Sequence, residues 1–103
     1  MQKIPFLTLE QVKEIVKTYP TPWHIYDEKG IRENAKRLKE AFGWNKGFKE
    51  YFAVKATPNP FILNILKEYD CGVDCSSMIE LEMSDACGFH GKDIMFSSNE
   101  TPV

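Results

Sequence analysis

Three short stretches hold the residues best able to do chemistry: "YFAVKA" with Lys55, "CGVDCSS" with Asp74 and two serines, and "DIMFSSN" with two more. A primary amine attacks an aldehyde only after giving up its proton. At the end of a buried strand, with Ala53 and Ala56 leaving room beside it, Lys55 is expected to be partly desolvated, which disfavours its charged form and makes it a better nucleophile. A strand-end lysine also has a purely structural use, laying its methylenes along apolar surface and its head in water. Asp74, near a helix start, can also be no more than a cap or dipole partner. Glu80 stands three residues after Ser77 and completes a capping box. His24 reads as a half-buried strand residue.

A second constellation belongs to another class of protein. Cys71, Cys75, Cys87 and His90 could be set out as a C-x3-C-x11-C-x2-H zinc ligand set in a small binding module. Helix-forming sequence separates Cys75 from Cys87, whereas structural zinc sites hold paired ligands on tight knuckles. The plainer reading of three cysteines is three small buried hydrophobes in a reducing compartment.

The elements that must position these residues follow from periodicity and punctuation. Thr8 and Gln11 form a capping box, and Leu9, Val12, Ile15, Val16 and Tyr19 recur at helical spacing until Pro20. After a turn at Pro20–Pro22, "WHIYD" reads as a short lead-in strand. Asp27 caps a second helix with Ile31, Ala35, Leu38 and Phe42 on one face and Gly43 as a left-handed stop. Asn59 and Pro60 open a third helix with a stripe of Phe61, Ile62, Ile65, Leu66 and Tyr69, and Ser77 opens a fourth that Gly88 ends. Between them, residues 51–55, 72–76 and 93–97 read as adjacent parallel strands, the first buried on both faces. The β-α-β-α-β order predicts an α/β fold with right-handed crossovers, and its chemistry gathers at the strands' C-terminal ends. Lys55, Asp74 to Ser77 and Ser97 to Asn99 all fall there.

The 103-residue length is one small domain, well short of the roughly 250 residues of a complete eight-stranded barrel. With 13 basic and 15 acidic residues the chain has no field to gather nucleic acid or anionic lipid. No stretch has the apolar core of a leader or the roughly 18 apolar residues of a membrane span. These features predict a cytoplasmic protein with neither nucleic-acid nor membrane partners.

The collinear set "TPWHIYDEKGIRENAKRLKEAF", "YFAVKATPNP", "GVDCSSMIELEMSDACGF" and "DIMFSSNETP" resembles the opening of the barrel-type pyridoxal-phosphate decarboxylases, the group holding the diaminopimelate, ornithine and arginine enzymes. The resemblance implies the N-terminal part of a (β/α)8 barrel. Residues 1–26 would form a helix and lead-in strand, and residues 27–103 the first three barrel strands. It implies that Lys55 holds pyridoxal phosphate as a Schiff base, that Asp74 hydrogen-bonds the lysine amine once released, and that Ala53 borders the cofactor. Glu80 matches the family's glutamate. "SSNETP" looks most like the lysine-pathway branch, implying decarboxylation of meso-diaminopimelate to L-lysine by a homodimer. Ornithine or arginine decarboxylation, an alanine-racemase-like activity and a non-catalytic decarboxylase-like binding protein are the other readings. Because the family's phosphate loop and substrate-binding groups come from later segments, this chain is expected to be part of a longer enzyme and inactive alone.

Overall fold

The computed structural model describes residues 3–97. Its contacts divide the chain into two compact units, Met1–Ile31 and Arg32–Val103.

The first unit holds helix α1, Leu9–Thr18, which starts as its sequence requires: Thr8 accepts the N–H of Gln11, and the Gln11 side chain accepts the N–H of Thr8. The apolar stripe of α1 is not buried, and Leu9 and Tyr19 remain 69% and 65% exposed. Residues 23–27 form no strand. Aromatic and β-branched content makes a strand only where a neighbour completes the ladder, and among the described residues none lies alongside. His24 is exposed rather than half-buried. Helix α2, Glu28–Ala41, begins at the end of this unit, where Asp27 Oδ1 accepts the N–H of Gly30 at 3.0 Å.

The second unit is the parallel sheet and its helices. Strands β1 (Tyr51–Ala53), β2 (Gly72–Cys75) and β3 (Ile94–Phe96) pair in the order β1-β2-β3, both pairings parallel. Helix α3, Pro60–Glu68, links the first two and α4, Met78–Ala86, the second two. Ala53 pairs with Asp74 and Asp74 with Met95, so these three share one face of the sheet. The opposite face is the core: Val54, Leu63, Val73, Cys75 and Phe89 are buried together, with Phe52, Leu81, Met83 and Ile94 packed around them. Within α3 it is Leu63, outside the expected stripe, that is fully buried, while Phe61 is exposed. Strand β1 is only half-buried, because among the described residues its second face has no cover.

Three helix ends differ in how they are made. Gly88 takes φ +93° after α4, as expected of a left-handed stop. Gly43 does not, because the chain closes there with a tighter bond from its N–H to the carbonyl of Glu40. At the end of α3 the left-handed residue is Asp70, φ +65°, an aspartate that tolerates this region better than most side chains.

Candidate active site

The chain leaves β1 earlier than its apolar run suggests. The ladder ends at Ala53, and Val54–Ala56 wind into a 3₁₀ turn closed by the N–H of Thr57 on the carbonyl of Val54, 3.1 Å. Val54 drops fully into the core, and the turn swings the backbone toward the Asn59 cap and Pro60 that start α3. Lys55 therefore sits on a turn just past the strand rather than on its last residue. Its side chain is exposed and, among the described residues, makes no hydrogen bond or salt bridge. The described residues thus do not supply the partial desolvation expected for its amine.

Asp74 stands on β2 next to Ala53, on the sheet face away from the core. One carboxylate oxygen, Oδ1, is buried and has no hydrogen-bond partner. An orphaned buried acceptor costs about 1–3 kcal/mol and invites a donor. Across the register sit only the methyl group of Ala53 on one side and the half-exposed Met95 on the other. A donor-rich ligand carrying an aldehyde fits this end: an amine to take the aldehyde, a small residue to make room and an acceptor awaiting a proton donor. Among the described residues no helix start carries the glycine-rich turn that would hold a phosphate.

Beyond Asp74, β2 runs into Ser76, Ser77 and α4. Ser77 caps α4, accepting the N–H of Glu80 at 3.3 Å. The Glu80 carboxylate accepts the Ser76 N–H at 3.2 Å, the Ser76 hydroxyl at 3.0 Å and the Ser77 hydroxyl at 2.8 Å. Burial pushes the Glu80 carboxyl up, but the hydrogen bonds from Ser77 and Ser76, with the charge of Lys55, outweigh it and hold it below the usual range. The S-x-x-E spacing signals the cap alone; the adjacent Ser76 is the added sign of a larger cluster. Ser98 and Asn99 lie outside the described residues, as does most of "SSNETP".

The cysteines do not assemble. Cys75 is fully buried with its Sγ 3.3 Å from Ser84 Oγ, and the Cys87 thiol points toward the carbonyl of Pro60. Burial pushes the thiols of Cys71 and Cys75 up, favouring the protonated form over the thiolate that binds zinc. Among the described residues no group of three or more histidines, cysteines or carboxylates is arranged to hold a metal. Nor is any helix there long and apolar enough to cross a membrane.

The parallel β-α-β-α-β unit thus carries an exposed amine just past the end of β1 and an orphaned carboxylate oxygen on β2. Residues 28–103 match the family described as pyridoxal-dependent decarboxylase, pyridoxal binding domain, and the chain belongs to that family. It is 47% identical over 90 residues to Protein TabA of Pseudomonas amygdali pv. tabaci, covering 87% of this chain and 21% of that protein. The crystal structure of ornithine decarboxylase from Entamoeba histolytica superposes with a TM-score of 0.74 at 28% identity, covering 90% of this chain and 28% of the other. Diaminopimelate decarboxylase from Helicobacter pylori, complexed with L-lysine, superposes with a TM-score of 0.73 at 33% identity, covering 84% and 22%. The chain thus spans about a fifth of the curated relative's length. Both of these structures are of decarboxylases, and the cofactor class is pyridoxal phosphate.

Proposed function

We propose that this chain forms the lysine-bearing side of a pyridoxal-phosphate-dependent decarboxylase that converts meso-diaminopimelate to L-lysine. The observation that carries this reading is the orphaned buried Oδ1 of Asp74 on β2, beside the strand β1 that leads into the exposed Lys55. Lys55 holds the cofactor through its amine. Ala53 leaves space for it, because any larger side chain would stand on the same face beside Asp74. Asp74 accepts a hydrogen bond at Oδ1, from the ligand or from the Lys55 ammonium once that amine is released. When bound, pyridoxal phosphate supplies the electron sink for the carbanion left by loss of carbon dioxide. The barrel part is taken as residues 27–103, the enzyme as a homodimer and its compartment as the cytoplasm, the last supported by three cysteines free of disulfides.

Ornithine decarboxylation is the second reading, favoured by the Entamoeba neighbour. Carbon dioxide release from meso-diaminopimelate, L-ornithine and L-arginine, offered in turn to a polypeptide carrying this chain within a complete barrel, separates the two. Release from meso-diaminopimelate with L-lysine as product is expected. Release from ornithine alone moves the assignment to the second reading.

A further inference from the structure

Two neighbouring rows of the sheet are filled differently. Phe52, Val73 and Ile94 lie side by side across the three strands, and all three pack into the core. One residue further along, Ala53, Asp74 and Met95 form the next row and face the other way. The inside of a closed barrel is ordinarily filled by bulky branched residues. This row offers a methyl group, a carboxylate and a thioether instead, none of them β-branched or aromatic.

The same face is closed one step toward the strands' N-terminal ends. There Tyr51 pairs with Gly72, and its ring covers the glycine so closely that a Cβ would stand 2.8 Å from it. The Tyr51 hydroxyl donates to the Lys92 carbonyl at 2.8 Å, which holds the ring in place. The Ala53–Asp74–Met95 row therefore has a fixed floor and little bulk of its own. Met95 is 50% exposed and stands one strand spacing, about 4.8 Å, from the aspartate whose buried Oδ1 lacks a donor. Methionine suits a wall beside a flat ring, being apolar, adaptable through three rotatable bonds, and tipped with a polarisable sulfur that favours aromatic neighbours.

We infer that Met95 lines the cavity that takes pyridoxal phosphate, as an apolar wall on the β3 side of Asp74 over the floor made by Tyr51. Asp74 offers the ligand a buried acceptor, and the thioether offers its ring an apolar contact. The inference deepens the reading of this end of the sheet as the cofactor site and rests on it, but its test reads the oxidation of a side chain rather than turnover.

The test is oxidation by dilute hydrogen peroxide of a polypeptide carrying this chain within a complete barrel, with and without pyridoxal phosphate, read by peptide mass spectrometry. Met78, 51% exposed at the start of α4, is the internal standard. Met95 should be oxidised in the cofactor-free protein and severalfold more slowly with pyridoxal phosphate bound, while Met78 keeps its rate. Equal Met95 rates overturn the inference. A Met95 that is unreactive in both states overturns it too, because protein rather than ligand would then cover the side chain. Absorbance titration gives a second measurement. Met95→Gln, similar in length but polar, should retain pyridoxal phosphate about fivefold less tightly, the size of a lost sulfur–ring contact, and Met95→Leu, which keeps an apolar wall, should lose less. Retention by Met95→Gln as tight as in the unaltered protein overturns the inference equally. If that variant does not fold, the oxidation rates of the unaltered protein decide. Borohydride reduction of the same samples keeps the two claims apart. A pyridoxyl adduct on Lys55 with Met95 unprotected removes only the role of Met95, whereas an adduct elsewhere removes the assignment of Lys55.

Discussion

The two ends of the three-stranded sheet are built from similar residues and finished in opposite ways. At the N-terminal end the polar groups close on one another. Lys49 Nζ bonds Asp93 Oδ1 at 2.6 Å, the Tyr51 hydroxyl donates to the Lys92 carbonyl at 2.8 Å, and the Gly72 N–H reaches the Glu50 carbonyl at 2.8 Å. At the C-terminal end Lys55 is unbonded and Asp74 keeps an orphaned oxygen. A lysine and an aspartate stand at both ends. Where they pair with each other they hold strands in register; where they are left apart they are available to something else. Unsatisfied groups are costly, so a fold keeps them where they are used.

The largest effect that would break this comparison is at the amine. Lys55→Ala should abolish the visible absorbance of lysine-bound pyridoxal phosphate and leave the melting temperature nearly unchanged, because an exposed side chain on a turn contributes little packing. A large drop in melting temperature would show that this end, too, is structural.

Next in size is Gly72→Ala at the opposite end. A Cβ there would lie 2.6 Å from the Asp93 carbonyl and 2.8 Å from the Tyr51 ring. Chemical denaturation should register a loss of about 1–3 kcal/mol, the usual cost of overpacking.

Asp74→Leu, close in shape but without the orphaned acceptor, should instead gain about 1 kcal/mol in the same measurement while weakening cofactor retention. Stability rising as binding falls would be the signature of a group kept for use. A loss of stability would mean that Asp74 has a structural partner.

The smallest effect is in acid. The hydrogen bond from Lys49 holds the Asp93 carboxyl below its ordinary value. A carboxyl lowered in the folded state contributes stability that is fully present above its unfolded pKa of about 3.9 and is lost as pH falls through the lower folded value. Asp93→Asn should therefore lower stability modestly at neutral pH and flatten part of the acid limb of a stability-against-pH curve, so that the two curves converge in acid. An acid limb identical in the two proteins would contradict the pairing.

Much of the sheet was legible because its signals are local. Apolar runs bounded by Asn59-Pro60 and by the Ser77 cap mark where strands give way to helices, and the β-α-β-α-β order leaves parallel pairing as the outcome. What was not legible depends on neighbours. "YFAV" reads as a strand through Lys55, but Val54 is drawn into the core and the ladder stops at Ala53. "WHIYD" has strand composition and, among the described residues, no strand to pair with. The stripe on α1 predicts a buried face that these residues leave exposed. At the site, the positions of Lys55 and Asp74 were readable, whereas the buried Oδ1 and the reach of Glu80 past its own cap required side-chain geometry.

If the C-terminal end of the sheet is a binding end, Lys55 is its point of attachment. The most direct measurement is borohydride reduction of protein carrying this chain in the presence of pyridoxal phosphate, followed by peptide mass spectrometry. A single pyridoxyl adduct on Lys55 is expected, absent from Lys55→Ala. An adduct on Lys49, at the closed end of the sheet, or on Lys67, whose ammonium is engaged by the Cys87 carbonyl at 3.1 Å, would contradict it.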